Sequence, residues 1–315
     1  MTPHHRTPGI PAAEAPPPGG GASSGGRRRG PGARLLDLAI GRAAARAAAP
    51  GGLLFTERQL YYATCRVLSP GAALPVRIPH TPAPPLRLPV FTRALDARGR
   101  QSVEGLLPPV PPRTGGVPAV RNVTGEGGTG EPDLYDYGLP RLLVCQDPAI
   151  ARMLLANHVH LEAACPVIAA ADALPLDPRL AAALERAGGA TVHVLHDAGP
   201  AGIALPARIR SALGPLAGVR VTSMGLVPRH AAALRLPSGR GPAPGPAPGA
   251  LPPALRPAEA DWLARGRFAE VAAVPPARLV RTVLRLTRGT RPPRSSLRSD
   301  LRGLRATGFM TWPSA

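Results

Sequence analysis

The segment Phe55-Thr56-Glu57-Arg58-Gln59-Leu60-Tyr61-Tyr62 sets two adjacent tyrosines, half of the four in the chain, one helical turn after an arginine. Arg58 and Tyr62 are four residues apart and would share a helix face, and Thr56 with Gln59 three residues on is the capping-box pattern that starts a helix. A phenol with an ordinary pKa of about 10 is a poor nucleophile at neutral pH, and a guanidinium beside it favours the phenolate while gripping a phosphate. Tyr62 is therefore a candidate nucleophile and Arg58 its candidate clamp. Paired tyrosines on an amphipathic helix also serve as plain core aromatics.

A second set of candidates follows from a change of pattern at Arg141. Short apolar stretches (142–145, 166–169, 191–196, 219–223) alternate with helical ones (148–157, 177–187, 201–213), which predicts a parallel sheet covered on both faces. Chemistry in such sheets sits at the carboxyl ends of strands, here Gln146 and Asp147 after the first and His196 to Gly202 after the third. His193 and His196 beside Asp197 are a candidate transition-metal group, but positions two and three apart on a strand point in mixed directions, so satisfied or solvent-facing histidines are the expectation, as for His158 and His160.

Ahead of the sheet, three helices are expected at 34–49, 57–68 and 90–98, with an extended wing at 102–110, a winged-helix arrangement. The whole divides into a Pro/Gly-rich tail 1–33, a winged-helix-like unit 34–112, a linker 113–139, an α/β unit 140–236, a Pro/Gly linker 237–257 and an arginine-rich segment 258–315. In that last segment, with helices expected near 258–272 and 277–288, Arg278, Arg281, Arg285 and Arg288 recur at intervals that share one helix face. They are the expected nucleic-acid contacts, carried on a flexible basic tail.

Composition narrows the function. Prolines (43) and glycines (36) make up a quarter of the 315 residues, all 38 basic residues are arginine, and only 19 acids oppose them, for a net charge of +19. Such a field attracts polyanions, nucleic acid before an anionic membrane. Without lysine there is neither a Walker-type phosphate loop nor a Schiff base. Cys65, Cys145 and Cys165 have no Cys-x-x-Cys spacing, and no apolar run is long enough to span a bilayer, so reduced thiols and a cytoplasmic, nucleoid-associated protein without membrane contact are expected.

Together, Arg58-Gln59-Leu60-Tyr61-Tyr62 and the two strand ends resemble the DNA-cleaving subunit of DNA topoisomerase VI and the related meiotic double-strand-break transesterase. That resemblance implies a winged helix joined to a toprim-like α/β domain, with Tyr62 attacking a DNA phosphate beside Arg58. It also implies Mg2+ near Asp197, a homodimer in which each tyrosine meets the other protomer's metal, and a separate ATPase partner. Two of the three carboxylates expected for the metal are replaced, by Gln146 and by Gly199, which leaves Asp197 with Asp147 or Asp172 as the acids that could compensate. A catalytically degenerate relative is one expectation and an active transesterase the other. The alternative is a nucleotide- or cofactor-binding α/β protein with a structural Tyr-Tyr helix. There Asp197-x-Gly199-x-x-Gly202 stands one residue short of the dinucleotide fingerprint and Arg220 serves a ribose phosphate.

Overall fold

The computed structural model describes residues 30–69, 80–109, 138–175, 177–241 and 255–288. The tail up to residue 29, most of both linkers and the arginines from position 291 onward lie outside these residues.

Three helices open the described chain: α1 (Pro31–Ala48), α2 (Glu57–Leu68) and α3 (Leu88–Arg98). Each starts where its sequence allows. Pro31 stands at the first position of α1, where a missing N–H costs nothing, and Thr56 closes the capping box of α2 with Gln59. Gly99, at φ 89°, ends α3 and returns its N–H to the Leu95 and Asp96 carbonyls. The expected wing is different. Its described part holds a 3-10 turn (Arg100–Ser102) and one parallel bridge between Phe55 and Leu106, so no antiparallel hairpin follows the helices among the described residues.

The chain then builds β1 (Arg141–Cys145), α4 (Pro148–Ala156), α5 (Val159–Ala163), β2 (Val167–Ala169), α6 (Ala170–Ala173), α7 (Pro178–Arg186), β3 (Thr191–Leu195), α8 (Pro200–Leu213), β4 (Arg220–Ser223) and α9 (Pro228–Ala233). The strands form one parallel sheet in the order β2-β1-β3-β4, so the expected α/β class is the observed one. Alternate positions serve opposite faces, as the pleat requires. Leu142, Val144, Val192 and Val194 pack under α7 and α8. Leu143, Cys145 and Leu195 face a larger cluster that includes Ile40, Phe55, Leu60 and Phe91 from the N-terminal helices. Both faces being covered explains why the inner strand β1 reads as an unbroken apolar run after Arg141.

The last described elements are β5 (Gly239–Arg240), α10 (Pro257–Ala264), β6 (Arg267–Phe268), a 3-10 turn (Val271–Ala273) and α11 (Pro276–Arg288). A helix over 258–272 was expected, but it stops at Ala264 because Gly266 adopts φ 68° and sends the chain into an antiparallel pairing of β6 with β5. Up to Arg288 this segment is not a free tail. Leu279 and Val283 of α11 and Val271 to Val274 belong to the larger core cluster, so the described parts of the units expected at 34–112, 140–236 and 258–315 contribute to a common cluster.

Asn157, at the end of α4, fastens the helical layer to the sheet. Its Oδ1 accepts from Leu54 N (2.9 Å) and its Nδ2 donates to the carbonyls of Leu54 and Met153 (2.8 Å each). Asn157→Ala would strand the Leu54 backbone pair and should lower unfolding free energy by about 1–3 kcal/mol with an unchanged m-value. Urea denaturation reads this directly. A loss within error of zero would show that the contact contributes nothing.

Candidate functional site

In an open parallel sheet the ligand crevice lies where strand order reverses. The chain moves outward from β1 to β2 and then crosses back to β3, so the reversal falls between the carboxyl ends of β1 and β3, where Gln146 and Asp197 stand. The Asp197 N–H donates to Gln146 Oε1 (2.9 Å), which joins the two strand ends.

A strap from the C-terminal segment fills this crevice. Ala269 forms an antiparallel bridge with Ala198 through two backbone hydrogen bonds (2.9 and 3.0 Å), and Val271 N donates to Asp197 Oδ1 (2.6 Å). Glu270, between them, turns its carboxylate toward α2. Arg58 grips it with Nε on Oε2 (2.9 Å) and Nη2 on Oε1, and the Tyr62 hydroxyl donates to Oε2 (3.2 Å). One turn further along α2, Arg66 Nη2 donates to the Ala273 carbonyl. Positions 58, 62 and 66 thus form one helix face, and all three are spent on the strap.

The electrostatics follow from that packing. Burial pushes the Tyr62 phenol well above its usual range, and the adjacent Glu270 carboxylate adds to this, while Arg58 works the other way. The two neighbouring charges thus oppose one another, and burial is the largest influence on the phenol. Burial works against the Arg58 charge, but Glu270 more than compensates, and its guanidinium stays above the ordinary value. Burial pushes Asp197 up to about 7, against the Val271 N–H and with help from the nearby charges of Glu270 and Asp147. Asp147 is raised mainly by burial; its carboxylate caps α4 through Ala149 N (2.8 Å).

The structure thus brings Arg58, Tyr62, Gln146 and Asp197 into one neighbourhood within a single chain, and adds Glu270 and Arg66, which sequence reasoning missed. A signal existed for Glu270: it is the sole acid between Asp261 and Asp300, in a run rich in arginine. The donors do not fit a divalent cation. Asp197 is engaged by Val271, Gln146 by Asp197, Gly199 offers no side chain, and among the described residues no group of three or more His, Cys, Asp or Glu is placed to hold a metal. His193 bonds Thr222 (2.9 Å), and His196 bonds Ser223 (2.8 Å) and the Asp197 carbonyl (2.9 Å), so both histidines are satisfied by neighbouring groups.

No protein-family model, curated protein or solved structure matches this chain. The site's meaning therefore rests on its own geometry. Tyr62 is 3% exposed, and its proton is directed at a carboxylate of the same chain. Gly202 has an internal reason too: a Cβ there would lie 2.4 Å from the Asp197 carbonyl and 2.5 Å from Gln146 Oε1, so glycine is required to close the two strand ends together.

Two outcomes test this picture. Tyr62→Phe removes one hydrogen bond and should cost about 0.5–1.5 kcal/mol, whereas Glu270→Ala strands Arg58 and the Tyr62 hydroxyl and should cost about 2–4 kcal/mol, both read by denaturant unfolding. Equal costs would remove Glu270 from its central place. The second outcome is a pH dependence. Folded Asp197 keeps its proton up to about pH 7, whereas an unfolded aspartate releases it near pH 4. The folded state binds the extra proton between these values, so the stability this group supplies is full below about pH 4 and is lost as pH rises to about 7. Asp197→Asn keeps an acceptor for Val271 without titrating. Its stability relative to the parent should climb across that window and then level off, and parallel curves would refute the assignment.

Proposed function

We propose that this chain is a double-stranded-DNA-binding protein resembling the DNA-cleaving subunit of topoisomerase VI, in which the residues at the nucleophile and metal positions hold the fold together instead of cutting DNA. In this reading α1 to α3 correspond to a winged helix without its wing, and the parallel sheet corresponds to a toprim-like domain.

The observation that carries DNA binding is the outer face of α11. Arg278, Arg281, Arg285 and Arg288 are all exposed, opposite Leu279, Val283 and Thr287, which are buried. Arg288 reaches back to Glu162, whereas among the described residues no acid pairs with Arg278, Arg281 or Arg285. A row of guanidiniums anchored on a packed helix is a preorganised phosphate-binding edge, and a net charge of +19 brings the polyanion to it.

The non-catalytic half of the proposal rests on Tyr62 and Arg58. A transesterase needs the phenol free to approach phosphorus and the guanidinium free for the phosphate, and Glu270 occupies both. The nucleotide-cofactor reading gains no support, since Gly202 is accounted for by strand closure and the Asp197 carboxylate faces Val271.

Titrating a fluorescent duplex of about 30 base pairs at several salt concentrations should give a linear fall of log affinity with log salt, with a slope of about −0.9 per phosphate neutralised. Replacing Arg278, Arg281 and Arg285 with glutamine should reduce that slope by about 2–3 and weaken all duplex sequences alike. A slope unchanged by the triple substitution would move the interface elsewhere. Incubation with supercoiled plasmid and Mg2+ or Mn2+ should leave no covalent protein–DNA adduct. An adduct that disappears in Tyr62→Phe would overturn the non-catalytic half and leave binding intact.

A further inference from the structure

Beside the arginine row, at the carboxyl ends of β3 and β4, lies an apolar slot of about 80 Å³. Its buried lining includes Leu195, Leu279 and Val283, and its outer lining is Arg278, the partly exposed Thr282, and Leu286, which is 42% exposed. A cavity of about 150 Å³ is needed to take benzene, and cofactor pockets run to about 300 Å³ or more, so this slot has room for one apolar side chain and not for a nucleotide. From its mouth Arg278, Arg281 and Arg285 continue along α11 over about 10 Å of helix rise. A DNA backbone can meet those guanidiniums but has no aliphatic group to seat in the slot.

We infer that this face docks an acidic segment of a partner protein, which inserts one leucine- or methionine-sized aliphatic side chain into the slot and lays carboxylates along Arg278, Arg281 and Arg285. Charge complementarity selects the acids and the apolar lining selects the anchor. This is the usual division of labour where an amphipathic helix meets a groove. Because the arginines are those assigned to DNA, the segment competes with DNA for them. Only this competition rests on the DNA-binding reading; the docking itself does not.

The test uses the full chain and a fluorescein-labelled acidic helical peptide of about 15 residues with glutamates at three- and four-residue spacing, one central leucine, and a twin with alanine there. In anisotropy titrations without DNA, the leucine peptide should bind about tenfold or more tighter than its twin, the value expected for burying a leucine side chain. Leu286→Gln and Thr282→Trp, the second filling the mouth, should each erase that preference while circular dichroism and duplex binding stay unchanged. Arg278→Gln should weaken both peptides. Equal binding of the two peptides, no binding of either, or a preference that survives both slot substitutions would overturn the inference. Should the leucine preference be present while duplex does not bind, the DNA reading fails alone; should duplex bind while the preference is absent, the docking inference fails alone.

Discussion

The carboxylate of Glu270 is the constraint on which the rest of this structure turns. It belongs to the C-terminal segment, it is gripped by Arg58 and Tyr62 of the N-terminal helices, and its backbone neighbours Ala269 and Val271 are bonded to the loop after β3. Three stretches far apart in sequence meet at one charge. An exposed ion pair contributes little, but the Glu270 side chain is only 15% exposed, so removing its partner would leave a largely desolvated charge. That asymmetry makes the contact costly to break even where its net contribution is small.

The same charge explains the composition of the crevice. After burial itself, the Glu270 charge helps raise the proton affinity of both Asp147 and Asp197, and the Arg58 guanidinium opposes it at each. A glutamate at position 146 would add a fourth carboxylate to this group. Glutamine keeps the acceptor that the Asp197 N–H needs and adds no charge. Gly202 completes the fit by leaving out the one atom that would separate the strand ends. Gln146 and Gly202 thus have positive structural roles: together they let the carboxyl ends of the two strands close against each other beneath the strap.

The alternation of apolar strands and amphipathic helices was legible because it depends on local periodicity, and the capping box of α2 was legible residue by residue in Thr56 and Gln59. The wing was not, since Ser102 to Pro109 pairs with Phe55 through one parallel bridge rather than with itself, a long-range choice that leaves no local pattern. The C-terminal segment was misread for a related reason. Its arginine count suggests a solvated tail, yet Leu279, Val283 and Thr287 recur on the face opposite the arginines and commit the helix to the core. Arg58 and Tyr62 could be paired from their spacing, but Glu270 lies 212 residues from Arg58, and sequence spacing alone cannot join them.

Arginine does two unlike jobs in this lysine-free chain, and geometry separates them. Arg58, Arg98, Arg100 and Arg229 are each matched to an acid, two of them with bidentate or paired contacts that a planar guanidinium makes better than an ammonium would. Those residues spend their charge internally and add little to the outside field. On α11, Arg278, Arg281 and Arg285 repeat on an exposed face with no acid paired to them among the described residues, above the apolar face that packs into the core. These three guanidiniums are therefore presented from a fixed edge, and fixed spacing is what would let an attraction to polyanions become selective.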